Sequence, residues 1–146
     1  MVLSDQLTPD SIVAAMERGH FYSSTGVRLK KISATERKLT VVIDPDPDVT
    51  YQIDFITTHA GFDRIVTPPP EFNGQPIHAS GKYSADIGVT VKTVNGLEGE
   101  YSLADDDLYI RAVVTSSRKH PNPSEPGEFE RAWVQPILGP AANKPE

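Results

Sequence analysis

The stretch Arg18-Gly19-His20-Phe21-Tyr22-Ser23-Ser24-Thr25-Gly26 decides the fold, because a short capped helix ends within it and an all-β pattern begins. Ahead of it, Thr8 has the hydroxyl of an N-cap residue and Pro9 fits the first helical position. Apolar residues then recur at helical spacing, and Gly19 supplies the left-handed residue that commonly ends a helix. These signals predict one helix over residues 8–18. Beyond the stretch, the hydrophobic period changes to two, which is typical of strands.

The rest of the chain alternates between short apolar runs and turn signals. This pattern favours an antiparallel β-sandwich, with an antiparallel barrel as the competing architecture. The Asn95-Gly96 pair predicts a tight hairpin, because both residues tolerate positive φ. About eight strands are expected, at 27–33, 38–44, 49–58, 63–67, 87–94, 98–103, 108–115 and 129–138. The predicted fold class is therefore mainly β with one short N-terminal helix, organised as an N-terminal segment (1–19), a sandwich (20–138) and a flexible tail (139–146).

Composition and charge exclude several classes of protein. The chain of 146 residues is long enough for one domain with its own core. Its net charge of −6 argues against nucleic acid as a partner, because phosphate binding needs a basic surface. The absence of cysteine excludes disulfides and thiolate chemistry. No apolar run approaches the roughly 20 residues of a membrane span, and the first seven residues lack the features of a signal peptide. No membrane partner is therefore predicted, and a cytoplasmic location is the default expectation.

The chain has four histidines, His20, His59, His78 and His120. None lies at a metal-ligand spacing such as His-x-His, so the sequence predicts no metal site, no catalytic residue and no cofactor. His59 follows a predicted strand and is interpreted as a solvated side chain. The acidic runs at 44–48 and 105–107 are interpreted as turns, because the first run departs from a calcium loop by its prolines and its missing glycine and glutamate.

Several other side chains are weighed as candidate sites. The hydroxyl-bearing residues Ser23, Ser24 and Thr25 do not lie in a Gly-x-Ser-x-Gly motif, the nucleophile elbow of many hydrolases. Their sequence therefore argues against nucleophilic catalysis. Trp133, the only tryptophan, is interpreted as a core or interdomain anchor rather than a sugar-stacking platform. Arg111 lies mid-strand among apolar neighbours, where it either pairs with a carboxylate or extends along a sheet face. The predicted docking or binding surface consists of Phe21, Tyr22, Ser23, Ser24, Thr25, Arg111 and Trp133.

Three segments together resemble a known family. The junction Glu17-Arg18-Gly19-His20-Phe21-Tyr22-Ser23-Ser24-Thr25-Gly26 resembles the segment that follows the catalytic barrel in PHP-type (polymerase and histidinol phosphatase) metal-dependent phosphoesterases. Leu108-Tyr109-Ile110-Arg111-Ala112-Val113-Val114 resembles the penultimate strand of the β-sandwich appended to many of those proteins. Ala132-Trp133-Val134-Gln135-Pro136-Ile137 resembles its closing strand. In order and spacing, these segments cover nearly the whole chain.

The resemblance implies an accessory domain without the catalytic barrel. The family's activity depends on an early His-x-His, further His and Glu ligands and a late Asp-x-His, and none of these positions exists in this sequence. The expected function is a non-catalytic β-sandwich that packs against a PHP-type catalytic domain, in the same chain or in another, through residues 11–18 and the Phe21–Gly26 junction. Self-association is left open.

Two alternatives remain open at this point. One is an independent module that binds carbohydrate or protein, which exposed aromatics on one sheet face would favour, namely Tyr22, Tyr109 and Trp133. The other is a small hydrolase, which would need a pocket where His59 or His78 meets carboxylates.

Overall fold

The computed structural model describes residues 1–69, 71–73, 75–76 and 81–142. Within these residues the chain forms one helix and eleven strands. In chain order they are α1 (Pro9–Glu17), β1 (Tyr22–Ser24), β2 (Arg28–Thr35), β3 (Lys38–Asp44), β4 (Tyr51–Thr57), β5 (Glu71–Phe72), β6 (Gln75–Pro76), β7 (Val89–Asn95), β8 (Glu98–Ser102), β9 (Tyr109–Lys119), β10 (Phe129–Val134) and β11 (Ile137–Leu138).

The strands form two main sheets in a sandwich-like arrangement. The larger sheet has the order β1-β10-β9-β4-β7, with β11 pairing with β9, and the smaller has the order β2-β3-β8. Strands β5 and β6 pair with each other. Every pairing is antiparallel. The prediction of a mainly β, antiparallel fold with one short helix is confirmed.

The hydrophobic core lies between the two sheets. Strand β4 buries alternate residues, and its Ile53 and Phe55 face the smaller sheet. Gly99 of β8 lies directly opposite, where an added Cβ would be 3.1 Å from Ile53 and 3.2 Å from Phe55. Tyr101, two residues further along β8, stacks on Phe55 with ring centroids 6.0 Å apart. The absence of a side chain at Gly99 therefore lets the sheets approach at the position of the largest buried ring.

The predicted helix is confirmed, with the expected caps. The Thr8 hydroxyl accepts a hydrogen bond from the amide of Ser11 at 3.4 Å, and Pro9 is the first helical residue. Gly19 follows the helix at φ 73°, a left-handed conformation in which glycine carries no Cβ penalty. The amide of His20 then bonds to the carbonyl of Ala15 at 2.8 Å and closes the helix end.

The predicted Asn95-Gly96 hairpin is wrong. Strand β7 pairs with β4 in the larger sheet, whereas β8 pairs with β3 in the smaller one. The turn between them carries the chain from one sheet to the other: the Gly96 amide bonds to Tyr51 of the larger sheet, and the Leu97 carbonyl accepts from Ile43 of the smaller. The acidic run at 105–107 likewise lies in a crossing between sheets and not at the tip of a hairpin, because it connects β8 of the smaller sheet to β9 of the larger sheet. Residues 36–37, in contrast, do join β2 and β3 as a hairpin.

Other strand boundaries differ from the predicted ones. Residues 63–67 form no strand, and Thr67 pairs with Lys82 in an isolated bridge. The predicted last strand divides into β10 and β11 around Pro136, which has no backbone N–H to continue a ladder. Strand β9 continues to Lys119, so the loop before β10 is shorter than expected.

The C-terminal segment is attached to the sandwich as far as it is described. Gly139 donates its amide to the Leu108 carbonyl at 2.9 Å, and Ala141 donates to Asp107 at 3.0 Å. The remainder of the predicted tail, residues 143–146, lies outside the described residues. Within the described part of the chain, no helix has the length and apolar character needed to cross a membrane.

Replacement of Phe55 by alanine tests the core. Phe55 is fully buried between the sheets, so the variant should lose about 3–5 kcal/mol of unfolding free energy. Urea unfolding measures the effect. The matched control is Ile65→Ala at an exposed position, which should stay within about 0.5 kcal/mol of the parent. Equal losses in the two variants would contradict the placement of Phe55.

Candidate functional site

The residues of the junction stabilise the local structure through hydrogen bonds. Tyr22 is buried, and its hydroxyl accepts a hydrogen bond from the Leu29 amide at 2.9 Å. The Ser24 hydroxyl donates to the Val27 carbonyl at 2.6 Å. The Thr25 hydroxyl accepts from the amide of Arg131 at 2.9 Å, which ties the junction to β10. The hydroxyls of Tyr22, Ser24 and Thr25 therefore stabilise a turn at the edge of the larger sheet.

The predicted docking surface is divided between two faces of the larger sheet. Tyr22 points into the core, whereas Trp133 and Arg111 are half-buried on the outer face. On that face, Trp133 lies between Ser23 of β1 and Val113 of β9. Phe21 is half-buried and forms a bridge with Val2. The seven residues therefore do not form one site.

The outer side of α1 has exposed apolar residues. Ala15 is fully buried, but Val13 is 54% exposed and Met16 is 50% exposed. Residues three apart lie on the same face of a helix, so these two side chains form one surface, here called the helix patch. Leu7, just before the helix, is also exposed.

Two of the three carboxylates in the first acidic run, those of Asp44 and Asp46, form ion pairs with arginines. Asp46 accepts from Arg28 at 2.8 Å and from Arg118 at 2.7 Å. Arg28 also donates to Asp44 at 3.1 Å. The prediction that this run is a strand-to-strand turn is confirmed, since it links β3 to β4.

The second acidic run forms a cluster with His59. The His59 Nδ1 lies 3.1 Å from Asp107 Oδ1 and 3.5 Å from Asp106 Oδ2. His59 and Asp107 also form a backbone bridge, and the Ala60 amide bonds to the Asp106 carbonyl at 2.7 Å. From its place after a strand, this histidine is expected to be a solvated side chain. The structure instead places it against two carboxylates, here called the His59 cluster (His59, Asp106 and Asp107).

Asp107 is held rigidly within the cluster. Its side chain has 0% exposure. Its Oδ2 accepts from the Ala104 amide at 2.8 Å and from the Tyr101 hydroxyl at 3.1 Å. Burial, together with the charge of Asp107, raises the pKa of Tyr101 to about 12, so this hydroxyl remains a donor at neutral pH. The two bonds fix the plane of the carboxylate and thereby the direction of its other oxygen.

The sheet topology explains why no sequence motif identifies the His59 cluster. The end of β4 lies beside the start of β9, because these strands pair antiparallel. His59 follows β4 and Asp107 precedes β9, so the pairing brings them together across the sheet end. Their separation in the sequence leaves no local spacing signal. The cluster can be identified only when the pairing of β4 with β9 is known, because that pairing places His59 beside the acidic run at 105–107. His78, the other histidine of the hydrolase alternative, lies outside the described residues.

Comparisons with known proteins identify no relative of this chain. No protein-family model matches this chain, and neither a curated protein nor a solved structure is significantly similar to it.

Replacement of Tyr22 by phenylalanine tests the structural role of the junction. The variant leaves the buried Leu29 amide without its partner, so we expect a loss of about 1–3 kcal/mol of unfolding free energy. Chemical denaturation measures this loss. Ser23→Ala, at an exposed position of the same strand, serves as the control and should change stability by less than about 0.5 kcal/mol. A Tyr22→Phe variant as stable as the parent would show that this hydrogen bond does not support the junction.

Proposed function

We propose that this chain is a non-catalytic β-sandwich accessory domain that packs against a PHP-type catalytic domain through the helix patch. The observation that supports the proposal is the half exposure of two apolar side chains, Val13 and Met16, on the outer side of α1. Exposed apolar surface next to polar residues is a common feature of protein-protein contacts. The resemblance places the catalytic barrel immediately before this helix, so the patch lies where a barrel would meet the sandwich.

The junction supports the same role. Hydrogen bonds of Thr25 with Arg131 and of Tyr22 with Leu29 tie the chain to the sheet directly after α1. A short helix is marginal in isolation, and its attachment through a fixed turn gives the helix patch a defined orientation. A defined orientation lowers the entropy that is lost when two domains pack together.

One of the three aromatic side chains on which the alternative of an independent ligand-binding module depends is not accessible. Tyr22 is in the core, whereas Tyr109 and Trp133 are half-buried. The three side chains therefore do not form one stacking platform.

The hydrolase alternative is favoured by one observation, the contact of His59 with Asp106 and Asp107. A purified chain that holds stoichiometric metal and turns over p-nitrophenyl phosphate, with the turnover lost in His59→Ala, would establish that alternative and contradict a non-catalytic role.

The docking proposal is tested by binding in solution. The probe is a PHP-type catalytic domain produced without its own β-sandwich, titrated with this chain by isothermal calorimetry. We expect a one-to-one complex that is weakened at least about tenfold in the double variant Val13→Lys/Met16→Lys, because a lysine at a packed apolar contact costs more than about 1.4 kcal/mol.

The control for this titration is Ile65→Lys, which places the same charge at an exposed apolar position outside the helix. It should bind as the parent does. The proposal would be contradicted by an absence of association, or by a double variant that binds as tightly as Ile65→Lys.

A further inference from the structure

We propose that the His59 cluster binds one divalent transition-metal ion, for which Zn²⁺ is the best fit. The ligand atoms would be His59 Nδ1, Asp106 Oδ2 and Asp107 Oδ1. Each of the three residues has one potential ligand atom within 4.8 Å of those of the other two. This site is separate from the helix patch and does not depend on the docking proposal.

The spacing of these donor atoms matches tetrahedral zinc. Two ligands at about 2.0–2.1 Å from a tetrahedral ion are about 3.3 Å apart. In the structure, His59 Nδ1 is 3.1 Å from Asp107 Oδ1 and 3.5 Å from Asp106 Oδ2. The two distances fall on either side of the tetrahedral value, so an ion bound to His59 Nδ1 can reach either carboxylate oxygen with small shifts of the side chains.

Two buried atoms of the cluster have no hydrogen-bond partner within the described chain. They are His59 Nδ1 and Asp107 Oδ1, which face each other without the geometry of a hydrogen bond. A buried carboxylate oxygen and a buried ring nitrogen that both lack partners are costly. A cation between them would satisfy both atoms at once. This is the observation that distinguishes the His59 cluster from an ordinary acidic turn.

The site is also preorganised for an ion. The bonds from Ala104 and Tyr101 hold Asp107 Oδ2, which leaves Oδ1 directed at His59. Outer hydrogen bonds of this kind orient metal ligands and are a regular feature of metal sites. Gly139 packs against the backbone of Asp107, since an added Cβ there would lie 2.1 Å from the Asp107 carbonyl oxygen.

The donor set selects the type of metal. One imidazole and two carboxylates suit zinc and related transition metals, whereas calcium takes six to eight oxygen ligands. Asp106 is 61% exposed and Asp107 is fully buried. The ion would therefore reach the site from the Asp106 side, where three protein ligands leave one coordination position open to water.

The test uses Zn²⁺ alone, with the full chain freed of metal by a chelator. Calorimetric titration should give one site, and Zn²⁺ in large excess over the dissociation constant should raise Tm by about 5 °C or more. X-ray absorption spectroscopy at the zinc edge should show nitrogen and oxygen ligands at about 2.0 Å. We expect His59→Ala and Asp106→Asn each to weaken binding at least about tenfold, because even the loss of an outer hydrogen-bond partner of a metal ligand costs about that much.

Matched controls separate this site from general attraction of cations. Asp105→Asn removes the same charge from the same turn, and His120→Ala removes a histidine from a distant loop; both should bind Zn²⁺ as the parent does. Amide NMR spectra verify that the variants are folded. The proposal would be overturned if the chain bound no zinc, if His59→Ala bound zinc as the parent does, or if Asp105→Asn weakened binding as much as Asp106→Asn.

Discussion

The rest of the structure depends on the pairing of β4 with β9 at the centre of the larger sheet. Strand β4 has a partner on each side, β7 and β9, and its inward residues Ile53 and Phe55 are fully buried. Because both edges are paired, β4 is fixed in register, and a shift of one residue would turn its apolar face to solvent. The smaller sheet then packs on that face, at the position where Gly99 permits close approach.

The local features of the fold were predictable from the sequence. Thr8, Pro9 and Gly19 identified the helix, because caps act within a few residues of each other. The alternation in β4 and β9 identified those strands. For most strands the pairing partner was not predictable, and Asn95-Gly96 shows why. A two-residue turn signal specifies the backbone at the turn, but whether the next strand returns to the same sheet is decided by packing of the core.

The same limit applies to the candidate site. Neither His59 nor the acidic run at 105–107 has a metal-ligand spacing of its own in the sequence. Only the antiparallel register between β4 and β9 brings the residue after one strand against the residue before the other. The rigidity of Asp107 comes from Ala104, Tyr101 and the segment at 139–141, which are parts of the chain with no shared motif. The helix patch, in contrast, follows from local periodicity and could be anticipated in outline.

The central strand pair of the sandwich builds both the core and the His59 cluster, and the helix patch lies at its N-terminal side. The most direct test of this arrangement is the pattern of backbone NOEs in an isotope-labelled sample. We predict a ladder that joins Phe55 with Ala112 and Ile53 with Val114, as the register requires. The absence of these contacts, with β4 or β9 joined to a different strand in their place, would contradict it.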